Sequence, residues 1–137
     1  HLHTLLTEYN TAYFEQYQDQ KELKGSKLEK YIAFKIAVET QLNEHHDVQR
    51  IADQLSLTSN TLYAIVKEFG GLSPKEWITN RIMMEAQRKL QYSNLSVKEL
   101  AYELGFSDPS YFSRLFKKNT GMSVRDYLSE IQDLSSN

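Results

Sequence analysis

Apolar residues recur every three or four positions along most of this chain, and the polar stretches between them mark where one helix should stop and the next begin. In residues 1–17, Leu2, Leu6, Tyr9 and Tyr13 follow one another at spacings of four and three, with Leu5, Ala12 and Tyr17 alongside, which predicts an amphipathic linker helix. Gln18 to Lys27 is polar, holds Gly25 and Ser26, and reads as a flexible boundary. From Lys27 to about His45, Leu28, Tyr31, Ile32, Val38 and Leu42 form a core stripe that Phe34 and Ile36 widen, so this helix is expected to be well covered. His45 and His46 should end it, where a cation suits the negative end of the helix dipole, and Asp47 should cap a helix from Val48.

The next segments carry clear start signals. Thr58 or Ser59 caps a helix running to about Phe69, and Ser73-Pro74-Lys75-Glu76 is a capping box with proline at the first helical position. That box opens the longest predicted helix, to about Tyr92, with Ile78, Ile82, Ala86 and Leu90 on one side and Trp77 and Met84 on another. A helix apolar on two sides predicts packing between two lobes, with Trp77 in the core. Ser96 and Glu99 form a second capping box, Leu100, Ala101 and Leu104 follow at helical spacing, and Gly105 suits a turn. Asp108 then caps a helix with Pro109 first and Phe112, Leu115 and Phe116 inward. Beyond Met122, Ser123 caps a closing helix with Tyr127, Leu128 and Ile131 apolar, and residues 133–137 are expected to fray.

The segment around Gly105 would fit an ordinary helical hairpin as well as a helix-turn-helix, but the chain contains it twice. Ile51-Ala52 lies over Leu100-Ala101 at an offset of 49, and Leu62, Val66, Gly71, Leu72 and Ser73 lie over Phe112, Phe116, Gly121, Met122 and Ser123 at an offset of 50. In the first copy Ile51, Ala52, Leu55, Leu57, Leu62 and Ile65 take the inward places, and Ser56 stands where glycine is common. The outward residues of the second helix in each unit are then the candidates for reading DNA. They are Ser59, Asn60, Tyr63, Ala64 and Lys67 in the first unit, and Pro109, Ser110, Ser113, Arg114 and Lys117 in the second. Hydroxyls, an amide, one Arg and a Lys are what a helix in the major groove presents to base edges and phosphates. Tyr63 would touch a thymine methyl or a phosphate, or pack. Arg81 and Arg88 on the connecting helix are candidate phosphate contacts, with a salt-bridged surface as the equal alternative.

The run Ala101-Tyr102-Glu103-Leu104-Gly105-Phe106-Ser107-Asp108-Pro109-Ser110-Tyr111-Phe112-Ser113-Arg114-Leu115-Phe116, continuing to Thr120-Gly121-Met122-Ser123, resembles the signature of the AraC/XylS transcription regulators. Residues 48–78 resemble the first half of the same domain, and the resemblance covers roughly residues 28–130. Val124 stands where the family usually has proline, Leu128 near where arginine is common, and Ala64 in place of a longer polar residue. The resemblance implies the same outward positions as DNA contacts, and an upstream sensing domain in the longer protein, for which the opening His1 also argues.

The chain of 137 residues has room for one such domain and an arm. Its net charge of −2 argues against a nucleic-acid partner until it is divided: residues 1–47 carry −3, residues 48–122 carry +3 and residues 123–137 carry −2. With no cysteine there is no disulfide framework or thiolate nucleophile, and with no Gly-rich phosphate loop an enzyme is not expected. No cofactor or metal is expected, and His1 and His3 read as solvent-exposed residues. No signal-like or membrane-crossing run is seen, so the expected location is the cytoplasm.

The expected architecture is all-α, with two helix-turn-helix lobes joined by a long connecting helix and preceded by the amphipathic linker helix. The divisions are 1–26 (linker helix and boundary), 27–132 (DNA-binding domain) and 133–137 (tail). The expected partner is double-stranded DNA, entered by helices at about 59–69 and 109–119 in successive major grooves. RNA polymerase and a second copy, held through residues 1–17 or an upstream domain, are further candidate partners. The alternative function is a protein-interaction module that contacts RNA polymerase or another regulator and binds DNA only weakly.

Overall fold

The structure, a computed structural model, describes the backbone of residues 2–44 and 46–136 and the side chains of 15–44 and 46–134. The described residues form helices and no strand: α1 (Leu2–Thr40), α2 (Val48–Gln54), α3 (Ser59–Gly70), α4 (Pro74–Tyr92), α5 (Val97–Glu103), α6 (Pro109–Thr120) and α7 (Val124–Ser136).

The helices begin where short polar side chains can take up free amide protons. Asp47, Thr58, Ser73, Ser96 and Asp108 each accept a bond from a backbone N–H two or three residues on, and Ser123 does the same for Asp126 at 3.1 Å. At Ser96 the box is reciprocal, because the Ser96 N–H also donates to the Glu99 carboxylate at 3.3 Å.

α4 runs through the middle of a single core. Ile78, Ile82, Met83, Ala86 and Leu90 are buried against Phe34, Val38, Ile51, Leu62 and Val66 of the first lobe and Leu100, Leu104, Phe112 and Phe116 of the second. In the first lobe Phe34 meets the edge of Trp77 at 5.3 Å, and Tyr31 stacks on Phe69 at 5.6 Å. In the second, Phe106, Phe112, Phe116 and Tyr127 form a chain of rings 5.2 to 6.1 Å apart.

Three expectations change at α1. The helix runs without a break through residues 18–27, where a flexible boundary was expected. Gln, Lys, Glu and Leu favour helix there, and the single Gly25 costs only about 1 kcal/mol. The side chains of residues 15–25 are exposed, so their polarity marks a solvated helix and not a loop. Second, α1 is covered on one side only: Tyr31, Phe34 and Val38 face the body, while Leu28, Ile32 and Ile36, spaced by four, remain 43 to 61% exposed. Third, the helix stops at Thr40, ahead of the histidines. His46 Nε2 hydrogen-bonds the Leu42 carbonyl at 2.9 Å, and its ring packs 5.0 Å from Phe106, while His45 lies outside the described residues. The apolar side chains from Leu2 to Tyr13, and His1 and His3, also lie outside the described side chains.

Two smaller differences follow. Met84 on α4 is 62% exposed and lies between no lobes. α7 continues to Ser136, past the expected fray at Asp133.

Candidate nucleic-acid interface

Each candidate reading helix is the second of a pair joined by a tight turn. In the first unit the Leu57 amide donates back to Ala52 O at 2.9 Å, and in the second the Phe106 amide donates to Ala101 O at 2.9 Å. These bonds share the offset of 49 seen in the sequence. The turn needs one residue of positive φ: Ser56 supplies it at 57° and Gly105 at 89°. Gly105 has a second constraint. A Cβ there would lie 2.9 Å from Asn43 O and 3.2 Å from Glu44 O, so the second turn is pressed against the turn that follows α1.

With Leu62, Ile65 and Val66 of α3 and Phe112 and Phe116 of α6 buried, the opposite faces turn outward. Asn60, Tyr63, Ala64 and Lys67 are exposed on α3, and Ser110, Arg114 and Lys117 on α6. Ser59, Pro109 and Ser113 are half-buried, and the Ser59 hydroxyl donates to the Gln49 side chain of α2.

The structure gathers six of these residues into two open hollows, while Lys67, Pro109 and Ser110 line neither. Ser59, Asn60 and Tyr63 line one of about 340 Å³ together with Ser73, Pro74 and Lys75 at the start of α4. Ser113, Arg114 and Lys117 line one of about 380 Å³ with Ser123, Val124 and Arg125 at the start of α7. Ala64 belongs elsewhere, with Asn60, in a hollow of about 350 Å³ against Leu23, Lys27 and Lys30 of α1. Its short side chain leaves room for the helix passing beside it.

Lys75 and Arg125 were not singled out from the sequence, although the repeat contains them. Ser73-Pro74-Lys75-Glu76-Trp77 lies over Ser123-Val124-Arg125-Asp126-Tyr127 at the offset of 50. The motif places a basic residue beside each reading helix, an acid in the first turn and an aromatic against the core.

Arg81 and Arg88 are not brought to either reading helix. Arg81 is bound through two nitrogens to the Glu39 carboxylate of α1, one of the contacts being 3.0 Å, and lies 3.8 Å from Glu85. Arg88 donates to both oxygens of Glu85, at 3.1 and 2.5 Å. The hydrogen bond from Arg88 holds the Glu85 carboxyl below its ordinary value despite burial, helped by the charges of Arg88, Arg81 and Lys89. The same pairing raises Arg88.

The cations of the domain therefore fall into two groups. Lys27, Arg81, Arg88 and Lys89 are held by carboxylates. Lys30, Lys35, Arg50, Lys67, Lys75, Lys98, Arg114, Lys117, Lys118 and Arg125 have none within 4.0 Å among the described residues. The unpaired group includes the cations on the outward faces of both reading helices and at the starts of α4 and α7. Charge left unneutralised along one surface suits a large polyanion. Among the described residues no group of three or more His, Cys, Asp or Glu could hold a metal, and no helix is long and apolar enough to cross a membrane.

Comparison with known proteins agrees with this geometry. Residues 51–130 match a family model described as a helix-turn-helix domain. The chain is 33% identical over 109 residues to the HTH-type transcriptional activator RhaS of Escherichia coli O1:K1, covering 80% of this chain and 38% of that protein. The chain thus spans less than two fifths of the length of the curated relatives it matches. The fold resembles the DNA-binding domain of AdpA, a global transcriptional factor solved with a target DNA, at a TM-score of 0.70 and 24% identity, covering 75% of this chain and 93% of that one. It also resembles a transcriptional regulator with an AraC-type DNA-binding domain from Chromobacterium violaceum, at a TM-score of 0.68 and 19% identity, covering 79% and 96% of the two chains.

Proposed function

The chain belongs to the AraC/XylS family of helix-turn-helix transcription regulators, and from that premise we propose that residues 27–132 read a specific double-stranded DNA sequence with two helices at once. The observation that carries the proposal is the duplicated reading face, in which α3 and α6 each turn unpaired cations and short polar side chains outward. α4 separates them. Its 19 residues, rising 1.5 Å each, span about 28 Å, comparable with the roughly 34 Å turn of DNA once the flanking helices are added. α3 and α6 would then enter successive major grooves.

The roles follow from side-chain chemistry. Asn60 presents paired donor and acceptor atoms to adenine, and Arg114 its planar fork to guanine. Ser110 and Ser113 reach base edges or phosphates, and Tyr63 a thymine methyl or a phosphate. Lys67 and Lys117 grip the backbone and set position without choosing sequence. The mechanism is occupancy of DNA in the bacterial cytoplasm, without catalysis. Contact with RNA polymerase, and pairing of two copies through residues 1–17, are the means by which occupancy would act on transcription.

The test is selection of bound duplexes from a random pool, with affinities of the recovered sequences followed across salt. Two preferred blocks about 10 base pairs apart, with a steep fall of affinity with salt, are the expected result. One block alone would leave a single reading helix. No enrichment, with binding insensitive to salt, would overturn the proposal in favour of a protein-interaction surface.

A further inference from the structure

A cleft of about 430 Å³ lies between the two lobes, with Lys75, Glu76, Thr79 and Asn80 of α4 on one wall and Lys118 and Asn119 of α6 on the other. Its walls are tied by one bond, in which Asn119 Nδ2 donates to Asn80 Oδ1 at 2.6 Å across 39 residues of sequence. Both lysines are exposed, and neither has a carboxylate partner within 4.0 Å among the described residues. Glu76, the one acid in the cleft, accepts a bond from the Ser73 hydroxyl at 3.0 Å in the cap of α4. Two ammonium groups thus line one space against a single carboxylate that neither of them pairs with, which leaves the cleft with an excess of positive charge.

The position of the cleft indicates what enters. Lys75 also lines the hollow shared by Asn60 and Tyr63, and Lys118 lies one helical turn beyond Arg114, which lines the other hollow with Ser113. The cleft therefore opens between the two reading faces. A duplex entered by both helices would carry its sugar-phosphate strand past this point. We infer that the cleft is a phosphate-backbone site, in which Lys75 and Lys118 neutralise phosphodiesters of the stretch between the two read blocks and the unused amide protons of Asn80 and Asn119 donate to the same oxygens. This rests on the proposed reading of DNA by α3 and α6, and it adds a grip on the part of the duplex that neither reading helix touches.

The experiment uses a duplex carrying both selected blocks, made with native phosphates throughout or with neutral methylphosphonates between the blocks. Lys75→Ala, Lys118→Ala and, as a control on the outer side of α1, Lys35→Ala are compared with the unaltered chain across salt. Each cleft variant should bind the native duplex about 3- to 10-fold more weakly and lower the salt slope by about one, while Lys35→Ala changes neither. On the neutral duplex the unaltered chain should lose the contribution of both lysines and each variant that of its remaining one, so that the difference between variants and unaltered chain disappears. Native-duplex binding unchanged in both cleft variants would overturn the inference. So would a loss that persists in full on the neutral duplex, which would assign the lysines a role inside the protein. In either case a weakened Arg114→Ala variant keeps the reading proposal standing; an unaltered chain with neither sequence preference nor salt dependence removes both.

Discussion

Arg114 and Lys117 are three residues apart on the exposed face of α6, and neither is held by a carboxylate among the described residues, yet their chemistry divides the labour. A guanidinium offers two parallel donors that match the O6 and N7 of guanine, whereas an ammonium is a mobile point charge that any phosphate satisfies. Arg114→Ala should therefore cost about 1–3 kcal/mol on the preferred sequence and flatten the preference at one base pair. Lys117→Ala should weaken every sequence alike and reduce the salt slope by about one. Affinities of both variants on single-base variants of the selected duplex would show this, and an equal loss on all sequences for Arg114→Ala would make it a phosphate contact. Arg81 and Arg88 show how pairing alters the same side chain. With Glu39 and Glu85 already bound, each would have to give up charge-assisted bonds before reaching a phosphate.

At the scale of the element, the two turns test how far the repeat is equivalent. Ser56 and Gly105 hold the same place and both have positive φ, but only Gly105 is pressed against the carbonyls of Asn43 and Glu44. Ser56→Gly should stabilise the fold by about 0.5–1 kcal/mol, because a left-handed conformation costs a residue with a Cβ roughly 1–2 kcal/mol and glycine loses some of that gain through its freer unfolded chain. Gly105→Ala should lose at least about 1–2 kcal/mol from φ alone, and more from the contact with the Asn43 and Glu44 carbonyls. Urea midpoints of the two variants, moving in opposite directions, would confirm that distinction. The turns, caps and inward residues were legible in the sequence because each is set by bonds within a few positions. Asp47, Thr58, Ser73, Ser96, Asp108 and Ser123 show this best. What was not legible depends on partners far away in sequence. Polarity in residues 18–27 signalled solvent and could not signal a break, and the covered side of α1 is chosen by Phe69 and Trp77. The candidate site divides in the same way: its outward faces follow from periodicity, but the pairing of Arg81 with Glu39 and of Asn80 with Asn119 joins residues 42 and 39 positions apart.

Across the whole molecule the two lobes share one core, so their relation to each other is as stable as either lobe. α4 buries Ile78 and Ile82 in the same continuous cluster as Leu100, Leu104 and Phe112, and the connection from α1 to α2 touches the second turn through His46 and Phe106. Such continuity predicts a single cooperative transition, although the chain carries a duplicated unit. Trp77 is the one tryptophan and packs on Phe34 in the first lobe, so its fluorescence reports that lobe alone. Leu100 is fully buried in the second lobe, and Leu100→Ala should cost about 2–5 kcal/mol through lost packing. If the core is one unit, the urea midpoint seen by Trp77 should fall by the same amount as that seen by far-ultraviolet circular dichroism. A Trp77 transition that stays in place while the dichroism splits into two steps would mean lobes that fold separately. That outcome would also bear on DNA reading, because two independently moving helices would tolerate variable spacing between their blocks. Lobes locked through α4 accept one spacing, and the loss of binding on inserting base pairs between the blocks should track the cooperativity of unfolding.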